Sequence, residues 1–254
     1  MEPKIGAQTI VWGESIRENM EHIVETLARL GYTGVETGMR HFHADRASFY
    51  RSLYEKQSMI PLGLHSGGQF WEPDQAAQER ERISNAVSFA ADVGFRYVVV
   101  SGNSKESVET MKSAAETYNR IAEQCRDAGL LFAYHNHNWE LSHDGAILET
   151  LVRNTDPKLV KLVLDVAWIH VAGMDVRALA RRYAERVAYL HVKDVRGTTF
   201  SELGTGEVDH ARTVAAAKEH GIEWLVVEQD YSTLAPEESM RVNMEYLRGM
   251  EGAG

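Results

Sequence analysis

The chain alternates short apolar segments with amphipathic segments eight times, and this alternation constrains the fold more than any other feature of the sequence. In residues 16–30, apolar side chains recur every three or four positions and Gly31 follows, which is the pattern of an amphipathic helix. In residues 95–101, the run Val98-Val99-Val100 is typical of a strand that is buried on both faces. Strands that alternate with helices predict a parallel sheet.

The number of these units predicts a closed barrel. The expected strands lie at residues 4–12, 32–37, 59–65, 95–101, 130–136, 159–165, 187–192 and 224–228. Eight strand-then-helix units in 254 residues suit a (β/α)8 TIM barrel, so we predict a single α/β barrel domain over residues 1–254. An open, doubly wound sheet is the alternative, but it predicts a glycine-rich phosphate turn after an early strand, and residues 12–15 (WGES) lack that pattern.

The charge and the apolar runs of the chain argue against several classes of protein. The formal net charge of −10 disfavours a protein that binds nucleic acid by neutralising phosphates. No apolar run approaches the length of a membrane span, and the first residues lack the pattern of a signal peptide. The single cysteine, Cys125, excludes an internal disulfide. We therefore expect a cytoplasmic protein with neither a nucleic-acid nor a membrane partner.

Polar side chains collect at the carboxyl ends of the expected strands. Six of the eight ends carry an ionisable or imidazole group: Glu36, His65, His135 with His137 and Glu140, Asp165, His191 with Lys193, and Glu228 with Asp230. The active sites of TIM barrels form at the rim where these ends meet. Because scattered polar residues would not be confined to one rim, we expect an active site there.

The carboxylates among these residues indicate a bound divalent ion. Carboxylates that converge without a cation raise one another's pKa values, and a divalent ion removes that cost. Oxygen ligands with one or two imidazoles suit Mn, Mg, Co or Zn, and the lack of thiolates argues against a structural zinc site. We expect His191 to be one ligand. The other expected ligands are Glu140, Asp165 and Glu228.

Five motifs of the chain resemble a known family. They are YHNHNWEL at 134–141, LDVAW at 164–168, LHVKD at 190–194, ELGTGEVD at 202–209 and VEQD at 227–230. Together they are similar to the sugar phosphate isomerase/epimerase family of the xylose isomerase-like TIM barrel superfamily, which also contains inosose isomerases and dehydratases, ketose 3-epimerases and endonuclease IV. The resemblance implies one divalent ion with ligands from strands five to eight. By position, these ligands are Glu140, Asp165, His191 and Glu228.

Two departures from the family pattern leave the reaction open. Ketose 3-epimerases usually carry a glutamate inside strand five, where this chain has Tyr134 or His135. Glu140 must therefore reach the ion from the loop, or one of His135 and His137 completes the site instead. Epimerases and endonucleases also tend to have a histidine at the position of Trp168. This tryptophan argues against both, and more strongly against a nuclease with a three-zinc cluster.

Several residues beside the expected ion are candidates for binding substrate: His65, His135, His137, Trp168, Lys193 and Arg196. A lysine cation next to the ion would suit a sugar oxyanion or a phosphate. Aromatic side chains that follow strand ends would form walls around a sugar ring, and these are Trp12, Phe70, Trp71, Trp139 and Trp168.

The leading hypothesis is a metal-dependent sugar isomerase or epimerase. The ion would polarise the carbonyl, and Glu140 or Glu228 would take the proton from the neighbouring carbon to form an enediolate. The alternative is a dehydratase, a lyase of the same barrel that acts on a keto-inositol or a 3-keto sugar. An endonuclease IV-like nuclease ranks third. The expected partner is a small-molecule sugar or sugar derivative, and the resemblance implies a homo-oligomer.

Overall fold

Eight parallel strands form a closed barrel, which confirms the predicted (β/α)8 fold. The computed structural model describes residues 2–68, 70, 73–102 and 107–251, and only the backbone over residues 73–77 and at 251. The strands are β1 (Lys4–Gln8), β2 (Gly34–Gly38), β3 (Ile60–His65), β4 (Tyr97–Ser101), β5 (Leu131–His135), β6 (Val160–Asp165), β7 (Val187–Val192), β8 (Asp194–Arg196), β9 (Thr199–Ser201) and β10 (Trp224–Val227). The order around the barrel is β1-β2-β3-β4-β5-β6-β7-β10, and β8 and β9 form a separate antiparallel hairpin.

Helices connect the barrel strands and cover their outer faces. They are α1 (Ile16–Leu30), α2 (Ala47–Lys56), α3 (Pro73–Val93), α4 (Val108–Asp127), α5 (Asn138–Asn154), α6 (Val166–Val171), α7 (Val176–Arg182), α8 (His210–His220) and α9 (Pro236–Glu251). The helix α1 ends as its sequence predicts, because Gly31 adopts a left-handed φ of 95° and donates to the carbonyls of Leu27 and Ala28. None of the described helices is long and apolar enough to cross a membrane.

The side chains that point into the barrel form an apolar layer below a polar layer. The apolar layer consists of Leu62, Tyr97, Val99, Ala133, Val163, Ala188, Tyr189, Trp224 and Val226. On β7, His191 lies two residues after Tyr189 and therefore on the same strand face, one step closer to the carboxyl rim. The same step occurs from Ala133 to His135, from Val163 to Asp165 and from Val226 to Glu228. The packed apolar layer thus supports a polar layer at the rim.

The structure differs from the predicted elements in four places. The first strand ends at Gln8, and a 3-10 helix over Thr9–Ser15 replaces its predicted second half. The sequence predicts a helix over residues 145–153, but α5 begins earlier, at Asn138, although Ser142 to Gly145 interrupt its helical geometry. The short helix α6 and the β8–β9 hairpin form where the sequence predicts no regular element.

Candidate active site

Four buried side chains at the carboxyl rim meet at one point. His135 ends β5, Asp165 ends β6, His191 lies in β7, and Glu228 follows β10. One nitrogen or oxygen atom from each of the four lies within 4.8 Å of the others. These four residues, called the ligand group below, could hold a metal ion.

His135 has the features of a metal ligand. Neither ring nitrogen makes a hydrogen bond of normal geometry to a described residue, and Nε2 lies 3.5 Å from Oδ2 of Asp165. Burial lowers the pKa of His135 even though Asp165 acts in the opposite direction, so the imidazole is neutral and keeps a lone pair. Two imidazoles and two carboxylates without a thiolate suit a divalent ion such as Mn, Co, Zn or Mg. The residues present therefore fit such an ion.

Asp165 uses its two carboxylate oxygens differently. Oδ1 accepts hydrogen bonds from the backbone nitrogens of Ala167 at 2.9 Å and Trp168 at 3.1 Å, which caps the start of α6. Oδ2 faces the ligand group. The helix cap therefore fixes the orientation of the carboxylate, and one oxygen remains directed at the point where an ion would bind.

His191 lies between two carboxylates. Its Nδ1 is 3.1 Å from Oε2 of Glu228, and its Nε2 is 2.9 Å from Oε2 of Glu36, which also accepts a hydrogen bond from the hydroxyl of Tyr189. Burial opposes the charged imidazole, but the two carboxylates outweigh burial and raise the pKa of His191 to about 10. Without an ion, the ring therefore carries both protons, and an ion that binds Nδ1 would displace the proton there. Glu36 orients the ring so that Nδ1 faces the ligand group.

Both carboxylate oxygens of Glu228 have a partner. Its Oε1 accepts a hydrogen bond from Nε2 of Gln8 at 3.4 Å, while Oε2 lies 2.8 Å from Nζ of Lys193. Burial favours protonation, but Lys193 and His191 outweigh it and hold the pKa of Glu228 well below its usual range. The carboxylate is therefore charged, as metal binding requires.

Lys193 is a buried cation that contacts three carboxylates. Nζ lies 3.1 Å from Asp165, 2.8 Å from Glu228 and 2.5 Å from Asp230. It also lies 5.3 Å from the ring centre of Trp168. Burial disfavours the ammonium form, but these carboxylates hold the pKa of Lys193 well above its usual value. The ammonium group thus partly offsets the negative charge of the site.

Glu140, the expected strand-five ligand, lies outside the ligand group. Its side chain is buried at the third position of α5, where Oε1 accepts a hydrogen bond from the hydroxyl of Tyr134 at 2.8 Å. Oε2 accepts one from the backbone nitrogen of His137 at 2.7 Å, which closes a capping box. Of the alternatives that the sequence left open, the structure brings His135 to the group.

A cavity of about 260 Å3 lies above the ligand group. It is lined by Gln8, Thr9, Ile10, Ile16, Gly38, Arg40, His41, His65, Gly67, Ser101, His135, His137, Trp168, Lys193, Glu228 and Asp230. Five of the six expected substrate contacts are therefore in its wall. The sixth, Arg196, is exposed on the β8–β9 hairpin and donates to the carbonyl of Thr205 at 2.6 Å. The geometry therefore does not support a substrate role for Arg196.

Aromatic rings form one side of this cavity. The imidazole of His137 stacks on Trp139 at 4.1 Å, with an angle of 14° between the rings, and lies 5.9 Å from Trp168. Burial and the neighbouring His135 lower the pKa of His137 to about 2, so this ring is neutral. Phe70 instead packs on Tyr118 in the core, Trp12 lines a separate surface groove, and Trp71 lies outside the described residues.

The motif ELGTGEVD folds around one buried carboxylate. Asp194 accepts hydrogen bonds from the backbone nitrogens of Val195, Gly204, Gly206 and Val208 at 2.9 to 3.1 Å. A Cβ atom on Gly206 would lie 2.2 Å from Oδ1 of Asp194, so only glycine leaves room for this contact. The motif therefore has a structural role, which is to fix the loop that follows Lys193.

Three residues whose side chains contact the ligand group or Lys193 were not among the predicted site residues: Gln8, Glu36 and Asp230. Glu36 and Asp230 were noticed only as polar strand ends, and their contacts with His191 and Lys193 depend on the closure of the barrel. Gln8 gave no separate signal, because the sequence placed it inside a longer first strand. If the first strand had been predicted to end at Gln8, this residue would have been recognised as another polar strand end.

The comparisons with known proteins agree with the fold. An inosose dehydratase of Geobacillus kaustophilus is 24% identical over 234 residues, covering 83% of this chain and 75% of that protein. An inosose dehydratase of Mesomycoplasma hyopneumoniae is 23% identical over 291 residues, covering 97% and 96%. The crystal structure of a sugar phosphate isomerase/epimerase from Parabacteroides distasonis matches with a TM-score of 0.83 at 23% identity, covering 98% and 94%.

The family model supports the resemblance over most of the length. The model described as the xylose isomerase-like TIM barrel matches residues 24–250, which include every residue of the ligand group. The chain therefore belongs to the xylose isomerase-like TIM barrel family.

Proposed function

We propose that this protein is a metal-dependent dehydratase that acts on a cyclic polyhydroxy ketone. The observation that carries the proposal is the composition of the cavity. Its wall includes His135 and Glu228 of the ligand group, which fits one divalent ion, and also Asp230, a carboxylate that does not belong to that group. The names of the two curated relatives, both inosose dehydratases, support the same reaction class.

The ligand group would hold the ion next to the substrate carbonyl. When bound, a divalent ion supplies Lewis acidity, which makes the hydrogen on the carbon beside the ketone more acidic. Both oxygens of Glu228 are engaged by Gln8, His191 and Lys193. We therefore assign Glu228 to holding the ion, although the sequence also favoured it as the base.

Asp230 is the carboxylate best placed to move the proton. It lines the cavity, and Oδ2 lies 2.5 Å from Nζ of Lys193. Burial and the charge of Glu228 raise the pKa of Asp230 to about 6, despite Lys193. A carboxylate whose pKa is raised by burial holds an accepted proton long enough to return it.

Loss of water then follows from one proton cycle. Asp230 takes the proton from the carbon beside the ketone, and the electrons of that bond form a carbon–carbon double bond. The hydroxyl on the next carbon leaves and takes the proton from Asp230, so the products are an unsaturated ketone and water. Lys193 stabilises the negative charge that develops during the step.

A sugar isomerase or epimerase is the second candidate, and it shares the proton abstraction. It is supported by the name of the matched Parabacteroides distasonis structure and by the short contact between Asp230 and Lys193, through which a proton can be returned to carbon. Inversion at one carbon needs a second acid on the opposite face. The residues of and after strand five do not supply this acid, because His135 is a neutral imidazole and Glu140 caps the start of α5. These two observations favour elimination.

The experiment is a product analysis in D2O. The protein, loaded with Mn2+ or Co2+, is incubated separately with a keto-inositol, a 3-keto sugar and simple ketoses. Elimination produces an ultraviolet-absorbing unsaturated ketone, whereas isomerisation produces a deuterated isomer without that absorbance. Absence of both products and of deuterium exchange over the whole panel would contradict proton abstraction beside a carbonyl.

A further inference from the structure

The cavity has a cationic wall opposite the ligand group. In the eight-strand ring, β2 lies four positions from β6 and therefore directly across the barrel from Asp165. The residues that follow β2 include Arg40 and His41, and both line the cavity. A substrate that reaches the ligand group with its carbonyl end therefore extends its other end toward Arg40.

The guanidinium group of Arg40 is available for a ligand. Its side chain is exposed and forms no hydrogen bond or ion pair with any residue that the structure describes, so its fork of N–H donors is free for a ligand in the cavity that it lines. The neighbouring His41 is buried, and burial together with Arg40 lowers its pKa. The charged groups that act on His41 are Arg40, Arg17 and Glu14, and Glu14 is exposed and does not pair with Arg40.

Gly38 leaves open the space beside these two side chains. Its φ of −69° and ψ of 133° are accessible to any residue, so the backbone does not require glycine here. A Cβ atom on Gly38 would lie 3.8 Å from Nη1 of Arg40 and 3.8 Å from Nε2 of His41. A larger side chain at this position would occupy the part of the cavity that both groups face.

The charges of the cavity would orient an anionic substrate. At one end, the negative charges of Glu228 and Asp230 are already paired with Lys193. At the other end, Arg40 is a cation without a carboxylate partner among the described residues, so it is the group that attracts an oxyanion. Arginine binds carboxylates and phosphates through paired N–H donors, and such charge-assisted contacts are stronger than neutral hydrogen bonds.

We propose that the substrate carries an oxyanion group, a carboxylate or a phosphate, at the end away from its carbonyl, and that Arg40 binds this group. The inference rests on the proposed function, because that function places the carbonyl end of the substrate at the ligand group. It adds the substrate class, because a guanidinium group without a carboxylate partner binds an oxyanion more strongly than it binds a neutral hydroxyl.

The test measures binding instead of turnover, so it stays informative even where the proposed reaction fails. The probes are D-gluconate, D-glucitol 6-phosphate and neutral D-glucitol, titrated by calorimetry into the Mn2+-loaded protein. At least one of the two anionic polyols is expected to bind about tenfold or more tightly than D-glucitol. The anion that binds more tightly identifies the source as carboxylate or phosphate.

Three variants complete the test. R40Q should abolish the preference for the anion, and G38V should weaken it by filling the adjoining space. The matched control is R46Q, because Arg46 lies on the same connection but packs over the ring of Phe49 at 4.1 Å, outside the cavity. R46Q should keep the preference.

Two results would overturn the proposal. One is equal binding of all three polyols by the unaltered protein, including no detectable binding of any. The other is an anion preference that survives in R40Q, because an anion that simply chelates the ion would keep its advantage there. Deuterium exchange with a ketose tests the proposed function separately.

Discussion

Nε2 of His191 lies 2.9 Å from Oε2 of Glu36, a carboxylate that is buried across the barrel on β2. This contact fixes the ring of His191 with its other nitrogen toward the ligand group. The arrangement of carboxylate, histidine and ion recurs in metal sites because the carboxylate sets the tautomer and the basicity of the histidine. The two residues are 155 positions apart in the chain, and only barrel closure brings them together.

Removing the charge of Glu36 should weaken metal binding without removing a ligand. In Glu36→Gln, the affinity for Mn2+ is expected to fall roughly 10- to 100-fold, because the His191 ring loses its fixed orientation and part of its basicity. Titration of the metal-free variant with Mn2+ measures the effect. Glu18→Gln, an exposed change on α1, is the control and should bind as the original protein does. Unchanged affinity in Glu36→Gln would remove Glu36 from the account.

Asp230 should be needed for proton transfer but not for metal binding. Asp230→Asn keeps the shape of the side chain, but it cannot accept a proton from carbon. We expect one bound ion per chain and a fall of roughly 10²- to 10⁴-fold in the rate of deuterium exchange into a substrate. Metal analysis and NMR in D2O measure the two quantities. If exchange continued at the original rate, the base would have to be another group.

Lys193 should stabilise the metal-free protein more than it stabilises the metal-bound protein. In Lys193→Met, Asp165 and Glu228 lose a buried counter-charge, and removal of one partner of a buried pair costs about 3–5 kcal/mol. The free energy of unfolding in urea is therefore expected to fall by this amount in the presence of EDTA. A saturating divalent ion should restore much of the difference. An equal loss with and without the ion would show that Lys193 acts through packing alone.

Gly206 should tolerate no side chain. Gly206→Ala places a Cβ atom against Oδ1 of Asp194, so the loop must move and give up its hydrogen bonds to that carboxylate. We expect a loss of about 1–3 kcal/mol in the free energy of unfolding. The control is Gly249→Ala in α9, where a Cβ atom meets nothing within 4 Å and alanine is the better helix former. That variant should be as stable as the original or slightly more stable.

The sequence predicted the barrel and the rim because both depend on local patterns. Strand and helix periodicity defined the eight units, and the carboxyl ends of β6 and β7 were predicted at the residues where the structure has them. Asp165, His191 and Glu228, which the structure brings together, were predicted as site residues in this way. Their convergence follows from the alternation of side chains along parallel strands and needs no long-range information.

The remaining parts of the site depend on contacts that a sequence does not display. Glu140 was expected to reach the ion, but three residues after His137 it occupies the position from which a glutamate caps a helix start. That signature was obscured because the first residue is a histidine, and serine or threonine is usual there. The place of Arg196 outside the cavity could not be predicted, because the β8–β9 hairpin has too few residues to show a strand pattern.

The metal content of purified variants tests the central claim most directly. Four proteins are loaded with Mn2+ and dialysed: the original protein and the variants His135→Ala, Asp165→Asn and Glu140→Gln. The amount of metal bound per chain is then measured by mass spectrometry. The account predicts about one ion per chain in the original protein and in Glu140→Gln, and little bound metal in the other two variants. A full complement of metal in His135→Ala together with its loss in Glu140→Gln would contradict the ligand group.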